Sequence, residues 1–452
     1  MTAGPQVPQR EAPAPSGEAV PGDAATRGAT PLRHACDPAA SGDVPGTPAI
    51  PGTQADGRPR ARLVGIDAAR GVALVGMMAV HNYTATDEDG ELSLAWSVAA
   101  GKSAALFALL AGVGIAFASG GRRRPTGRRW TAEAASLLVR ALVIGAVGLL
   151  LGYVVPADLA SVILPYYAVL FLLAVPVLSL STRTLVGLAA TVAVAMPLLS
   201  HVLRAGTELV DPVPNPTLGA LVDDPLHALR ELALTGVYPA LPWMAYLCAG
   251  LAVGRALLTS RRTVLIIVLV GVGLAVAART VSWLLLDVFG GRARLESVAL
   301  QSMSQEEFAG FLREGASGVT PPDTPWWLAT TLAHSSTPFD LAYTIGVGLV
   351  VVGVCILVGR VTTAPLRPLA AAGSMTLTLY SLHLLLLSSP DLPGGAWGFL
   401  LQSAVVVTFA LVWSHHHARG PLEELVARLS GGARRAVENG RRPSGAGALP
   451  PA

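Results

Sequence analysis

Ten segments of roughly twenty mostly apolar residues follow one another along the chain from about residue 63. Each is long enough to cross a bilayer as a helix, because about twenty residues rising about 1.5 Å each cover about 30 Å of hydrocarbon. They lie near 63–83, 92–118, 133–153, 160–181, 184–204, 232–257, 263–288, 338–359, 368–389 and 395–415. The pattern predicts an all-α fold, a polytopic membrane helix bundle of about ten transmembrane helices.

The polar stretches outside these segments predict three regions. Residues 1–60 are dominated by Pro, Ala, Gly and polar side chains without periodicity, and such a stretch buries too little apolar surface to offset chain entropy. We therefore expect a disordered tail at 1–60, a membrane domain at 61–420 and a second tail at 421–452. Arginines recur in alternate short loops, so the positive-inside rule predicts both termini on the cytoplasmic side of the cell membrane.

Composition agrees with this reading. Of 452 residues, 52% are hydrophobic and only 13% are charged, too few to cover a soluble protein of this size. The net charge of +3 comes with arginines scattered in short runs, which argues against nucleic-acid binding. The three cysteines have neither metal-ligand spacing nor a disulfide framework, so no metal site is expected.

The first predicted span carries three ionisable residues, Asp67, Arg70 and His81. At about 100° per residue Arg70 and His81 point within about 20° of each other, and Asp67 lies within about 60° of both. His81 lies about 16 Å beyond Arg70 along the helix axis. Charged groups at membrane depth cost free energy and therefore invite a functional hypothesis. The alternatives are a structural Asp67–Arg70 ion pair and an interfacial His81.

Two further cations lie within apolar segments. Lys102, the only lysine, is about ten residues into the second span, and Arg140 lies in the third. Arg140 can either reach the lipid headgroups or face an internal anionic ligand. With Arg70, these cations are candidates for an inward-facing pocket that binds phosphates.

Two histidines and a carboxylate are expected near the outer surface with His81. His334 precedes the eighth span, Asp340 follows it by six residues, and His383 lies in the outer half of the ninth span. A neutral imidazole can act as a general base or accept an acyl group, and a neighbouring Asp340 would orient it. Otherwise His334 is an exposed loop residue and His383 is bonded to a neighbouring helix.

Several stretches resemble a known family in the order in which they occur. RLVGIDAARGVALVGMMAVHN, GKSAALFALLAGVGIA, VYPALPWMAYLCAGLAVGR, AHSSTPFDLAYTIGVGL and PLAAAGSMTLTLYSLH are similar to the transmembrane acyltransferase superfamily. This superfamily includes heparan-alpha-glucosaminide N-acetyltransferase and the bacterial YeiB-like proteins, and the chain resembles the YeiB-like branch over roughly 62–430.

The resemblance implies a chemistry. It implies an acyl-CoA donor, acetyl-CoA above all, bound from the cytoplasm, and an acceptor on the far side such as an envelope glycan or glycolipid. His81 matches the catalytic histidine at the outer end of an early span, and His383 resembles the histidine of a late Tyr-x-x-His element. One departure is that the loop NYTATDEDGELSLAW lacks the H-x-x-W-x-G pattern of the human lysosomal enzyme.

Three functions remain open at this point. The leading hypothesis is a membrane acyltransferase with His81, His334, Asp340 and His383 as catalytic residues and Asp67, Arg70, Lys102 and Arg140 as donor-binding residues. One alternative is a transporter or exporter of a small or anionic solute, in which the same charges bind ions or relay protons. The other is a non-catalytic scaffold or sensor. The acceptor, the acyl chain and homo-oligomerisation are left open.

Overall fold

The computed structural model describes residues 64–87, 89–205 and 214–440, which form helices joined by loops. The α-helices are α1 (Val64–Asn82), α2 (Leu94–Ala99), α3 (Lys102–Ala118), α4 (Gly127–Leu151), α5 (Leu164–Val177), α6 (Thr182–Leu203), α7 (Leu218–Asp223), α8 (Pro225–Arg230), α9 (Ala240–Gly254), α10 (Arg261–Trp283), α11 (Gly291–Ala299), α12 (Gln305–Glu314), α13 (Pro338–Val361), α14 (Arg367–Gly373), α15 (Thr376–Leu387), α16 (Gly395–His416) and α17 (Pro421–Asn439). Short π-helical turns follow α8 and α10. The predicted all-α polytopic class is confirmed.

Seven helical stretches are long and apolar enough to cross a membrane, or nine when two bent pairs are included, among the described residues. The bent pairs are Pro225–Thr235 with Ala240–Gly254, at 49°, and Arg367–Gly373 with Thr376–Leu387, at 88°. The remaining predicted segment, near 160–181, contains only the 14-residue helix α5. At about 1.5 Å per residue α5 is about 21 Å long, shorter than the hydrocarbon core.

Helix α1 lies near the centre of the bundle and runs antiparallel to α3. A Cβ on Gly76 would lie 2.2 Å from the Ser103 hydroxyl, and a Cβ on Gly114 would lie 3.1 Å from an Arg70 guanidinium nitrogen. The start of α3 is therefore level with the end of α1. Below, the end of the bundle with Arg70 is called the arginine end, and the end with His81 is called the histidine end.

Small residues allow the central helices to approach closely. A Cβ on Gly112 would lie 2.2 Å from the Leu247 carbonyl oxygen, and one on Gly250 would lie 1.8 Å from that of Leu109. Both glycines lie where α3 crosses α9, so the two backbones are in direct contact. This is the small-residue packing expected between helices in lipid, where dispersion replaces the hydrophobic effect.

The two predicted tails differ in what the structure describes. The 1–60 stretch lies outside the described residues. Part of the 421–452 stretch forms α17, which packs along α4, and an Arg434–Glu133 ion pair of 3.0 Å joins the two helices. Glu133 is only 6% exposed, so this pair fixes α17 against the bundle.

Candidate active site

Two histidines from distant helices meet at the histidine end. His81 Nδ1 lies 3.0 Å from His383 Nε2, and the ring planes are within 1° of parallel with centroids 5.3 Å apart. This geometry is that of coplanar rings joined edge to edge by an N–H···N hydrogen bond. His81 lies in the last turn of α1 and is partly exposed, whereas His383, in α15, is fully buried.

The histidine pair continues into two buried amides. His383 Nδ1 lies 2.6 Å from Gln402 Oε1, and Gln402 Nε2 donates to Asn82 Oδ1 at 3.2 Å. Asn82 Nδ2 in turn donates to the Met78 carbonyl oxygen at 2.8 Å. Gln402 is 1% exposed and Asn82 8%, so the two amides are shielded from water. These four side chains, His81, His383, Gln402 and Asn82, are called the histidine relay below.

The end of the relay determines where its protons lie. A backbone carbonyl only accepts, so Asn82 presents its amide N–H to Met78 and its oxygen to Gln402. Gln402 then presents its oxygen to His383, whose Nδ1 must carry a proton. In the neutral ring His383 Nε2 is therefore an acceptor, and His81 donates to it from Nδ1. His81 Nε2 is left with a free lone pair, and it has no hydrogen-bond partner within the described part of the chain.

A cavity of about 390 Å³ opens towards the arginine end and is lined by three arginines, Arg70 of α1, Arg140 of α4 and Arg419 before α17. Arg70 also forms a 2.9 Å ion pair with Asp67, and Arg419 forms one of 3.3 Å with Glu424. Such a volume is typical of small-molecule pockets. Three guanidinium groups around one cavity suit a ligand with phosphates, because each can donate two parallel hydrogen bonds. This pocket is called the arginine cavity below.

One carboxylate also lines the arginine cavity, but it is engaged elsewhere. Glu423 Oε1 accepts from the backbone N–H groups of Leu377 (2.6 Å) and Thr378 (3.2 Å), and Oε2 accepts from the Thr378 hydroxyl at 2.6 Å. The carboxylate thus caps the N-terminus of α15, where negative charge is favoured. Arg140, in contrast, has no hydrogen bond or ion pair to any residue that the structure describes.

The arginine cavity extends along α1 towards the histidine relay. Met77 and Tyr380 line it, and His81 and His383 follow them by four and three residues on the same two helices. Residues three or four apart lie on one helix face, one turn above the other. A ligand with its anionic end at Arg70 and its other end past Met77 would therefore approach the relay.

Lys102 does not share this cavity, contrary to the sequence expectation. Gly101, with φ +71°, ends the preceding helical stretch, so Lys102 begins α3 at the histidine end. Its ammonium donates to the Ser97 carbonyl oxygen at 2.9 Å and lines a second cavity with Asp340. Lys102 lies within the candidate span Leu94–Ala118, as the sequence predicted, so the expectation was wrong only about which cavity the side chain lines.

Asp340 does not orient His334 either. The carboxylate accepts from the Ser336 N–H at 3.1 Å, while His334 Nε2 accepts from the Gly101 N–H at 3.1 Å. Left-handed backbone at His334 (φ 56°) and Ser336 (φ 50°) folds the loop back so that Asp340 closes its own turn. Burial, helped by the charge of Lys102, lowers the pKa of His334 to about 4, so this imidazole is neutral at pH 7.

Two members of the relay and one cavity arginine were missed by sequence reasoning. Gln402 is a single amide within the apolar helix α16, and a buried polar residue in such a helix was the signal that could have identified it. Asn82 directly follows His81. Arg419 lies beyond the last span and reaches the cavity only because the chain turns back into α17.

A family model described as heparan-alpha-glucosaminide N-acetyltransferase, catalytic, matches residues 62–272. Asp67, Arg70, His81, Lys102 and Arg140 lie within the matched segment, whereas His334, Asp340, His383 and Gln402 lie beyond it. A search among proteins of curated function finds no match.

Proposed function

We propose, from the match of residues 62–272 to the heparan-alpha-glucosaminide N-acetyltransferase model, that the chain is a transmembrane acyltransferase. It would transfer an acetyl group from acetyl-CoA to an acceptor across the membrane. The observation that carries the proposal is the alignment of the arginine cavity with the histidine relay along α1. The acceptor is proposed to be an envelope glycan or glycolipid, and the cell membrane with both termini cytoplasmic is the proposed location.

The donor would occupy the arginine cavity. Arg70, Arg140 and Arg419 supply the cations that the phosphates of acyl-CoA require, and the phosphates would neutralise the unpaired Arg140. The apolar wall between Arg70 and Met77 would hold the pantetheine arm, whose thioester then lies nearest His81. Asp67 orients Arg70 through the 2.9 Å ion pair and is a positioning residue in this scheme.

The transfer step would use His81 as a general base. His81 Nε2 removes the proton from the acceptor hydroxyl or amine, whose oxygen or nitrogen attacks the thioester carbonyl. The carbon–sulfur bond breaks, and the departing CoA thiolate takes the proton back from Nε2. His383 acts as a positioning residue, because its Nε2 holds the proton on His81 Nδ1 and supports the imidazolium formed during the step.

The test is acetyl transfer in proteoliposomes from labelled acetyl-CoA to glucosamine and to a total envelope glycolipid extract. We expect His81→Ala to lower kcat at least about 100-fold, the usual contribution of a positioned base. His227→Ala is the matched control, because His227 is an exposed histidine on α8, remote in sequence from the relay. Full activity of the His81 variant would eliminate the mechanism.

The same vesicles separate the proposal from transport. An acetyltransferase requires the acyl donor for every turnover, whereas an exporter moves its solute without one. Flux of an anionic solute that continues in the absence of acetyl-CoA and stops on Arg140→Gln would favour the transporter instead.

A further inference from the structure

The side chains that line the arginine cavity differ in size between its two ends. Small residues line the arginine end, Gly114 of α3 beside Arg70 and Gly373 of α14. Phe107 lies seven residues before Gly114 on α3, which runs antiparallel to α1, and is therefore about 10 Å nearer the histidine end. Met77 lies equally far beyond Arg70 on α1, about 10 Å along its axis. The cavity thus has small side chains where it begins and large ones where it ends.

Two further large side chains close the histidine end of the cavity. Tyr380 of α15 lies one helical turn before His383, and its hydroxyl accepts the backbone N–H of Ile163 at 3.2 Å. Ile163 and Tyr380 are each only 3% exposed, so both are held within the bundle. The end wall, as it is called below, consists of Met77, Phe107, Ile163 and Tyr380.

Helix α5 leads from the end wall towards the arginine end. A Cβ on Gly148 would lie 2.5 Å from Pro165 Cδ, and one on Gly145 would lie 2.9 Å from Ala168 Cβ. Earlier residues of α4 therefore meet later residues of α5, and the two helices are antiparallel. The cavity arginine of α4 precedes both glycines, so Phe171, about two turns into α5, lies on its side of the cavity.

Buried hydrogen bonds fix the backbone behind the end wall. The segment that precedes α5 is not helical, so its peptide groups need partners from elsewhere in the protein. Asn215 Oδ1 accepts the Val162 N–H at 2.7 Å, and Asn215 Nδ2 donates to the Ala160 carbonyl oxygen at 2.9 Å. The Tyr380 hydroxyl donates to the Ser161 carbonyl oxygen at 3.4 Å. The wall cannot withdraw from a ligand without breaking these bonds.

We infer that the end wall determines the length of the acyl group, favouring an acetyl donor over donors with longer chains. The inference rests on the proposed function, in which the donor phosphates lie at the arginines and the thioester lies nearest the histidine relay. The acyl carbons then point at the end wall, and each added methylene must displace a close-packed side chain. One methylene too many in such a pocket discriminates by about 10-fold to 200-fold.

The test measures donor binding without turnover. The full-length protein in nanodiscs is titrated with acetyl-CoA, propionyl-CoA and butyryl-CoA by calorimetry, in the absence of any acceptor. Ile163→Ala shortens the wall and retains the backbone N–H that bonds to Tyr380. Tyr380→Phe retains the ring and removes the hydroxyl that holds the segment before α5. Phe171→Ala is the matched control, because it also removes a large side chain from this cavity but far from the end wall.

We expect the wild-type Kd for butyryl-CoA to exceed that for acetyl-CoA about tenfold or more. Ile163→Ala should bring this ratio to within about threefold of one, because it provides space for the added methylenes. Tyr380→Phe should lower the ratio in the same direction without a large change of volume, and it supplies the comparison should Ile163→Ala fail to fold. Phe171→Ala should leave the ratio at its wild-type value.

Equal wild-type Kd values for the three donors would overturn the inference, and so would a ratio that Ile163→Ala and Tyr380→Phe both leave unchanged. Either result would leave the acetyltransferase proposal standing, because acetyl-CoA would still bind. Loss of acetyl transfer in His81→Ala would not alter these binding ratios. Failure of every acyl-CoA to bind would overturn both the donor site and the inference built on it.

Discussion

Replacing Gln402 by Leu isolates what the histidine relay contributes. Leu is similar in size and suits an apolar helix, but it removes the oxygen that accepts from His383 Nδ1 at 2.6 Å. The Nδ1–H is then buried without a partner, and His383 gains by moving its proton to Nε2. In that tautomer Nε2 no longer accepts from His81, so the proton of His81 is released to move to its own Nε2.

The size of the effect follows from the burial of this hydrogen bond. A buried, unsatisfied donor costs about 1–3 kcal/mol, and about 1.4 kcal/mol is a factor of ten. We therefore expect kcat to fall roughly 5-fold to 150-fold in Gln402→Leu while KM for acetyl-CoA stays within about twofold, because Gln402 does not line the arginine cavity. Gln402→Glu retains an acceptor for His383 but loses the N–H that donates to Asn82 Oδ1, so it should lower kcat less than Gln402→Leu does.

The assay combines acetyl-transfer kinetics with ¹⁵N NMR of labelled histidines, which reports the tautomer directly. Thr408→Leu, an exposed position on the same helix, controls for the introduction of leucine. A purely structural role would lower stability without changing the His81 tautomer. Wild-type kcat together with a shifted tautomer population would refute the link between the relay and catalysis.

Three further outcomes are expected. Gly114→Leu should fill the arginine cavity beside Arg70 and raise KM for acetyl-CoA about tenfold or more. The control Gly187→Leu, at a position with open space around it, should leave KM unchanged. Equal KM values for the two variants would contradict the assignment of the cavity. His334→Gln should flatten the pH dependence of the unfolding free energy at acid pH. The pKa of His334 is about 4 in the folded protein and about 6.5 in the unfolded chain, so the wild-type unfolding free energy falls by up to roughly 3 kcal/mol between pH 6.5 and pH 4. Identical pH profiles of the two proteins in thermal unfolding would disprove this. Glu423→Gln should weaken the cap of α15 and lower the unfolding free energy by about 1–2 kcal/mol in the same measurement, and an unchanged melting curve would rule the cap out as a stabilising contact.

Helical spacing predicted the parts of the site that lie on one element. Asp67, Arg70 and His81 occupy one helix, so their positions along α1 and their shared face followed from the helix repeat. The structure shows the Asp67–Arg70 ion pair towards one end of α1 and the contact of His81 with His383 at the other. The expected resemblance to heparan-alpha-glucosaminide N-acetyltransferase is confirmed by the family-model match over 62–272.

Contacts between elements were beyond the sequence. Lys102 lies within the expected span, but hydropathy does not show which cavity its side chain lines. Gln402 meets Asn82 across 320 residues of sequence, and no periodicity encodes such a contact. The pairing of His334 with Asp340, six residues apart, failed for the opposite reason, because two residues of left-handed backbone turned the loop away.

The carbonyl at the end of the histidine relay also limits what the relay can do with a proton. Met78 O accepts a hydrogen bond but has no proton to pass on, and it belongs to an unbroken helix. A proton taken up at His81 Nε2 therefore has no onward route through these side chains and must leave by the nitrogen at which it arrived. The relay can therefore accept a proton and return it within one reaction cycle, but its side chains do not form a path that conducts protons across the membrane.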